Sequence, residues 1–107
     1  MLPIQTINKM SDKKITPLQK VIPVGISFKT YTQNGTLFEP LAGLTVINQG
    51  DNCNVFVNQV KLIPGQQFQV DLNNYEQFYQ QFNITFETID IAQPVTPYAF
   101  VILKKYL

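Results

Sequence analysis

A chain of 107 residues with 45% hydrophobic and 14% charged residues is long enough for one domain with its own core and too apolar for a disordered segment. Its net charge of +1 comes from eight lysines and no arginine against seven acids, and lysines adjoin only at Lys13-Lys14 and Lys104-Lys105, which argues against a nucleic-acid surface. The absence of histidine removes the commonest general base, the Ser-His and Cys-His nucleophile pairs and most zinc and iron sites.

Residues 1–18 carry Leu2, Ile4, Ile7, Met10 and Ile15 as isolated apolar positions among Lys, Ser, Asp and the prolines Pro3 and Pro17. No strand or helix period emerges, so this stretch reads as an extended N-terminal arm without a core of its own. Its scattered apolar residues favour docking on a neighbour over free solvation. The domain proper is expected over 19–107. The first residues lack the basic and continuously apolar regions of a signal peptide, and no stretch reaches the length of a membrane span.

Strand signals are dense from Lys20 onward. Val21–Thr30 is rich in β-branched and aromatic residues, with Pro23 and Gly25 marking an edge or a bulge. Asn34-Gly35 predicts a two-residue hairpin turn between Phe28–Thr32 and Thr36–Phe38, with φ > 0 at both positions. Leu44–Asn48 is a strand and Gln49-Gly50-Asp51-Asn52 a turn. Cys53–Asn58 follows, then a weaker turn at Asn58-Gln59 into Val60–Ile63. Pro64-Gly65 suits the central positions of a type II turn. Gln67–Leu72 alternates strictly, with Phe68, Val70 and Leu72 on one face.

Asn73–Gln80 is predicted as a short helix capped by Asn73 or Asn74. Phe82–Thr88 is a further alternating strand, and Pro94 and Pro97 bracket a loop. Tyr98–Leu103 closes the chain with apolar residues on both faces, which places it centrally or packs one face on a partner. Seven to eight short strands with turns roughly every 8–12 residues predict an all-β fold, a single antiparallel β-sandwich of jelly-roll-like type.

The chemistry-bearing residues are few. Asp71 and Glu87 sit on polar strand faces, and their convergence would make a hydrolase carboxylate pair, against the plainer reading of solvated side chains. Asn48, Asp51, Asn52 and Asn54 offer oxygens to a calcium ion or form a polar turn. The single Cys53, flanked by asparagines, reads as a structural thiol, and the Asn-x-Thr triplets at Asn34 and Asn83 as coincidences of an asparagine-rich chain. The expectation is a protein without catalytic, metal or cofactor sites. Tyr75, Phe78 and Tyr79, together with Tyr98 and Phe100, are the candidate interface or ligand platform, for sugar stacking or for packing. Nine Asn and twelve Gln give a polar surface of low charge, against which other chains pack at little electrostatic cost.

Within Leu44–Leu72, the residues Asn48, Gly50, Val57-Asn58, Leu62, Pro64-Gly65-Gln66 and Phe68 resemble a pattern of small virion proteins of bacteriophages: a strand ending in Asn and a small turn, a short strand bearing Val-Asn, then Leu-x-Pro-Gly-Gln and an alternating strand. The resemblance covers about a quarter of the chain. It implies a capsid, spike, fibre or decoration subunit, in virions assembled in a host cytoplasm, that forms homo-oligomers and contacts other virion proteins. The alternative is a carbohydrate- or surface-binding β-sandwich module, with a glycan on the aromatic platform.

Overall fold

The computed structural model describes residues 22–73 and 76–107. The arm residues Leu2, Ile4, Ile7, Met10 and Ile15, and Tyr75 of the platform, lie outside the described residues. Among the described residues the fold is all-β, with eight strands: β1 Val24–Tyr31, β2 Gly35–Leu41, β3 Gly43–Asn48, β4 Cys53–Val57, β5 Val60–Leu62, β6 Gln67–Asp71, β7 Phe78–Thr88 and β8 Ala99–Tyr106.

The strands form two four-stranded antiparallel sheets, β1-β8-β3-β6 (the first sheet) and β2-β7-β4-β5 (the second sheet). Every connection except β4–β5 crosses from one sheet to the other, which is the winding of a jelly roll. Strand alternation supplies the core. Leu44, Val46, Val101 and Leu103 from the first sheet meet Leu37, Leu41, Val55, Val57 and Ile84 from the second, all essentially sealed from solvent.

Two local expectations are corrected. Among the described residues of Asn73–Gln80 there is no helix. Asn73 and Glu76 do make a reciprocal turn, Glu76 N–H donating to the Asn73 carbonyl and Asn73 N–H to Glu76 Oε1, but β7 begins at Phe78. Inward-facing Phe78, Phe82 and Ile84 share a two-residue period, and burying that row outweighs what one or two isolated helical turns provide. Asn34-Gly35 is not a hairpin turn either. Among the described residues only Asn52, Asn58 and Gly65 take positive φ, and the Asn34-Gly35 segment carries the chain from the first sheet to the second. Asn34 instead accepts a hydrogen bond from Phe86 N–H through its side-chain oxygen (3.0 Å). The β-hairpin is at Asn58-Gln59, where Val57 pairs with Val60 and Asn58 takes φ 55°.

Pro64-Gly65 turns as expected, with Gly65 at φ 91° and Gln66 N–H donating to the Ile63 carbonyl (3.0 Å). The buried Asn48 side chain joins the two sheets. From β3 it donates to the carbonyls of Cys53 (2.8 Å) and Leu62 (2.9 Å) and accepts from Gly50 N–H (2.9 Å). Gly50 is needed there, since a Cβ would stand 2.7 Å from the Thr96 carbonyl oxygen.

Candidate functional site: the two outer faces and the open edge

Strand pairing decides which side chains reach each outer surface. On the first sheet, Val24, Ile26, Phe28 and Thr30 of β1 lie beside Tyr106, Lys104, Ile102 and Phe100 of β8. Gly43, Thr45 and Ile47 of β3 follow, then Asp71, Gln69 and Gln67 of β6. The result is an apolar field of Ile26, Phe28, Ile47, Phe100 and Ile102. Phe28 is 60% exposed and Ile26 53%, and the Phe28 and Phe100 rings stack with centroids 5.6 Å apart. The charges at its margin neutralise each other, Lys104 Nζ lying 2.9 Å from Asp71 Oδ1.

The alternation in β1 is inverted. A sheet with one wet face turns its polar residues outward. Here Gly25, Ser27, Lys29 and Tyr31 take the inward positions, Tyr31 packing on the core while Ser27 and Lys29 stay exposed at the edge, and Val24, Ile26, Phe28 and Thr30 face out. Lys29 is accommodated because it ion-pairs across to Glu39 of β2 (3.1 Å), which Lys105 of β8 also contacts. These two lysines, Lys105 foremost, hold the Glu39 carboxyl below the usual carboxylate range against the opposing effect of its partial burial.

The outer face of the second sheet has another character. Thr36, Phe38 and Pro40 of β2 pair with Asn83, Gln81 and Tyr79 of β7. Asn54 and Phe56 of β4 lie opposite Glu87 and Thr85. The polar side chains bond to one another: Gln81 Nε2 donates to Asn83 Oδ1 (3.0 Å), Thr36 Oγ1 to the same atom (3.3 Å) and Asn54 Nδ2 to Glu87 Oε1 (3.1 Å). Phe38 and Tyr79, 55% and 65% exposed, meet edge to face at 4.6 Å between centroids.

The structure therefore separates the residues of the expected platform. Phe78 points inward, meets Phe82 edge to face, and with Phe68, Val57, Val60 and Val70 lines a groove of about 420 Å³ opening between β5 and β6. Tyr79 is on the outer face of the second sheet and Phe100 on that of the first. Tyr98 sits half-buried in the β7–β8 connection, its carbonyl accepting from Gln49 N–H. Adjacent strand positions face opposite ways, so Phe78 and Tyr79 cannot share a platform. Sequence reasoning missed Ile26, Phe28 and Phe38. The period of β1 was readable, but which half of the alternation faces out depends on where Glu39 and the core strands lie.

The other candidates resolve into structural roles. Asp71 and Glu87 stand on the outer faces of opposite sheets, so they do not converge. The side chain of Asn48 is fully engaged as above, and Asn54 donates to Glu87 while its buried Oδ1 has no partner among the described residues. Asn52 Nδ2 donates to the carbonyls of Asp90, Gln93 and Pro94, and its Oδ1 accepts from Asp90 N–H, which ties the β3–β4 turn to the β7–β8 connection. Among the described residues no three His, Cys, Asp or Glu side chains gather as a metal group. Cys53 is buried, and desolvation pushes its thiol above the ordinary value. Among the described residues no helix is long and apolar enough to cross a membrane.

No family model, curated protein or solved structure matches the chain.

Proposed function

We propose that this chain is a structural subunit of a virus particle of the bacteriophage kind, an oligomerising jelly-roll protein of the capsid, spike, fibre or decoration type that is anchored through its N-terminal segment. The observation that carries the reading is the inverted alternation of β1: an edge strand whose apolar residues face outward, on a sheet whose outer field is apolar and nearly free of net charge. Such a face loses free energy by being covered, at roughly 25 cal/mol per Å² of apolar surface before association costs. The jelly-roll winding supports the same reading, because that architecture is common in capsid proteins. The low charge of the chain lets copies pack closely. The test is the solution mass of the full chain by light scattering over a concentration series, followed by electron microscopy of the heaviest species. Closed oligomers or shells are the expected result; a monomer at every concentration overturns the reading.

A second reading rests on the opposite face. Jelly rolls also serve as lectins, and Phe38 with Tyr79 beside Gln81, Asn83 and Thr36 combines an exposed aromatic pair with amide and hydroxyl groups, the elements that hold a sugar ring. A glycan array decides it, with loss of signal in the Phe38→Ala, Tyr79→Ala double variant as the supporting result.

A further inference from the structure

Among the described residues four strands border the sheets: β1 and β6 in the first, β2 and β5 in the second. Three of them carry devices that discourage pairing with another chain. β2 contains Pro40, which has no N–H to donate; β5 is three residues long and includes Lys61; β6 presents Gln67, Gln69 and Asp71 on its outward face. β1 differs. It is eight residues long and has no proline within it; its one charge, Lys29, is on the inward side and paired with Glu39, and its outward residues are Val24, Ile26, Phe28 and Thr30. A long apolar edge left open is an aggregation hazard unless a dedicated partner covers it.

Resting on the reading of the chain as an assembling subunit, we infer that residues 1–21 of a neighbouring copy cover this edge and the apolar field of Ile26, Phe28, Phe100 and Ile102. Length allows it. Twenty-one extended residues reach about 70 Å, several times the span of an eight-residue strand, so the segment can cross to a neighbour and still run beside β1. Composition suits the surface, since Leu2, Ile4, Ile7, Met10 and Ile15 supply apolar side chains to an apolar field.

The entry to β1 is held against the end of β8: Pro23 favours the extended region for Ile22, and the Pro23 carbonyl accepts from Leu107 N–H.

The test is disulfide trapping in the full chain. Phe28→Cys is combined in turn with Ile4→Cys, Ile7→Cys, Met10→Cys and Ile15→Cys; Cys53 is buried and stays out of the exchange. After mild oxidation, mass under denaturing non-reducing conditions separates the outcomes. Cross-linked dimers and higher species for at least one pair, absent from the Phe28→Cys single variant, are the expected result. A cross-linked monomer means that the segment covers its own β1 and overturns the inference. No cross-link in a protein that light scattering shows to be oligomeric also overturns it, while leaving the assembling-subunit reading intact. No cross-link in a monomeric protein ends both. Full-chain Phe28→Lys gives an independent readout: at least a twofold fall in solution mass is expected, with Phe38→Lys on the opposite face unchanged. Equal mass for Phe28→Lys and the unaltered chain contradicts the inference.

Discussion

The outer face of the second sheet is a polar lattice in which Gln81, Asn83 and Thr36 bond to one another and Asn54 bonds to Glu87, with one aromatic pair at its Pro40 end. The outer face of the first sheet is apolar along β1 and across β8, and its exposed rings find each other, Phe28 on Phe100. Both faces belong to antiparallel four-stranded sheets that cover the same core. The first sheet keeps its hydrogen-bonding side chains mainly on β6, whereas on the second they run across β2, β7 and β4. The difference teaches that this sandwich has a polar side and a side with an exposed apolar field, and that the asymmetry resides mostly in one strand, β1, whose Val24, Ile26 and Phe28 face outward.

The largest effect tests the frame that both faces share. Asn48→Ala removes the donor to the Cys53 and Leu62 carbonyls and the acceptor of Gly50 N–H, all at a buried site between the sheets. The expected loss is about 3 kcal/mol in urea denaturation, because the orphaned groups keep their desolvation cost. If the two sides are one cooperative unit, tyrosine fluorescence and far-ultraviolet circular dichroism report the same midpoint. Separate midpoints would divide the molecule into two independently stable faces.

The next effect strikes the comparison directly. Phe28→Asp places a charge in the apolar field and is expected to lower the solution mass of the full chain while leaving the circular dichroism spectrum unchanged, since the side chain is already 60% exposed. Phe38→Asp, at a similarly exposed phenylalanine on the polar side, is expected to leave the mass unaltered. Equal responses from the two variants would erase the distinction between the faces.

A smaller effect concerns the clasp that permits the inversion. Glu39 has its pKa lowered by hydrogen bonds from Lys105 and Lys29. A carboxylate with a depressed folded-state pKa contributes stability that is fully present above its unfolded-state value and is lost as pH falls through the folded-state value. Glu39→Gln removes that contribution, about 0.5 kcal/mol for partly solvated pairs. The unaltered chain should therefore lose more stability than Glu39→Gln between pH 7 and about pH 2, measured as urea midpoints. Identical acid limbs would mean that the clasp adds nothing, and that Lys29, 46% exposed, is satisfied by solvent without its partner.

Much of the fold was legible because its signals are local. Pro64-Gly65 turns as its residue types require, and Gln67–Asp71 alternates as a half-buried strand should. The misreadings arose where a local signal met a distant competitor. Asn34-Gly35 has hairpin chemistry, yet sheet membership was decided by β8 pairing with β1 and β7 with β2. Tyr75, Phe78 and Tyr79 fit helical spacing, but Phe78, Phe82 and Ile84 also fit a period of two, and the core rewards the latter. Of the candidate platform, Tyr79 and Phe100 were recognisable as surface aromatics. Their assignment to opposite faces was not, because it follows from the register of β7 on β2 and of β8 on β1.

The smallest expected effect falls on the polar side and separates binding from folding there. Phe38 and Tyr79 touch each other edge to face but are more than half exposed, so the double variant Phe38→Ala, Tyr79→Ala removes little buried area. The ring pair itself is worth about 1 kcal/mol. A change in stability no larger than that is expected, with solution mass unchanged. Binding of a sugar at this pair, as proposed, can therefore be tested almost without cost to the fold, whereas Phe28 variants test the proposed assembly. A loss of several kcal/mol in the double variant would show that the two rings hold the β2–β7 pairing together. The second face would then also be built around an apolar contact, and its contrast with the first would be one of degree.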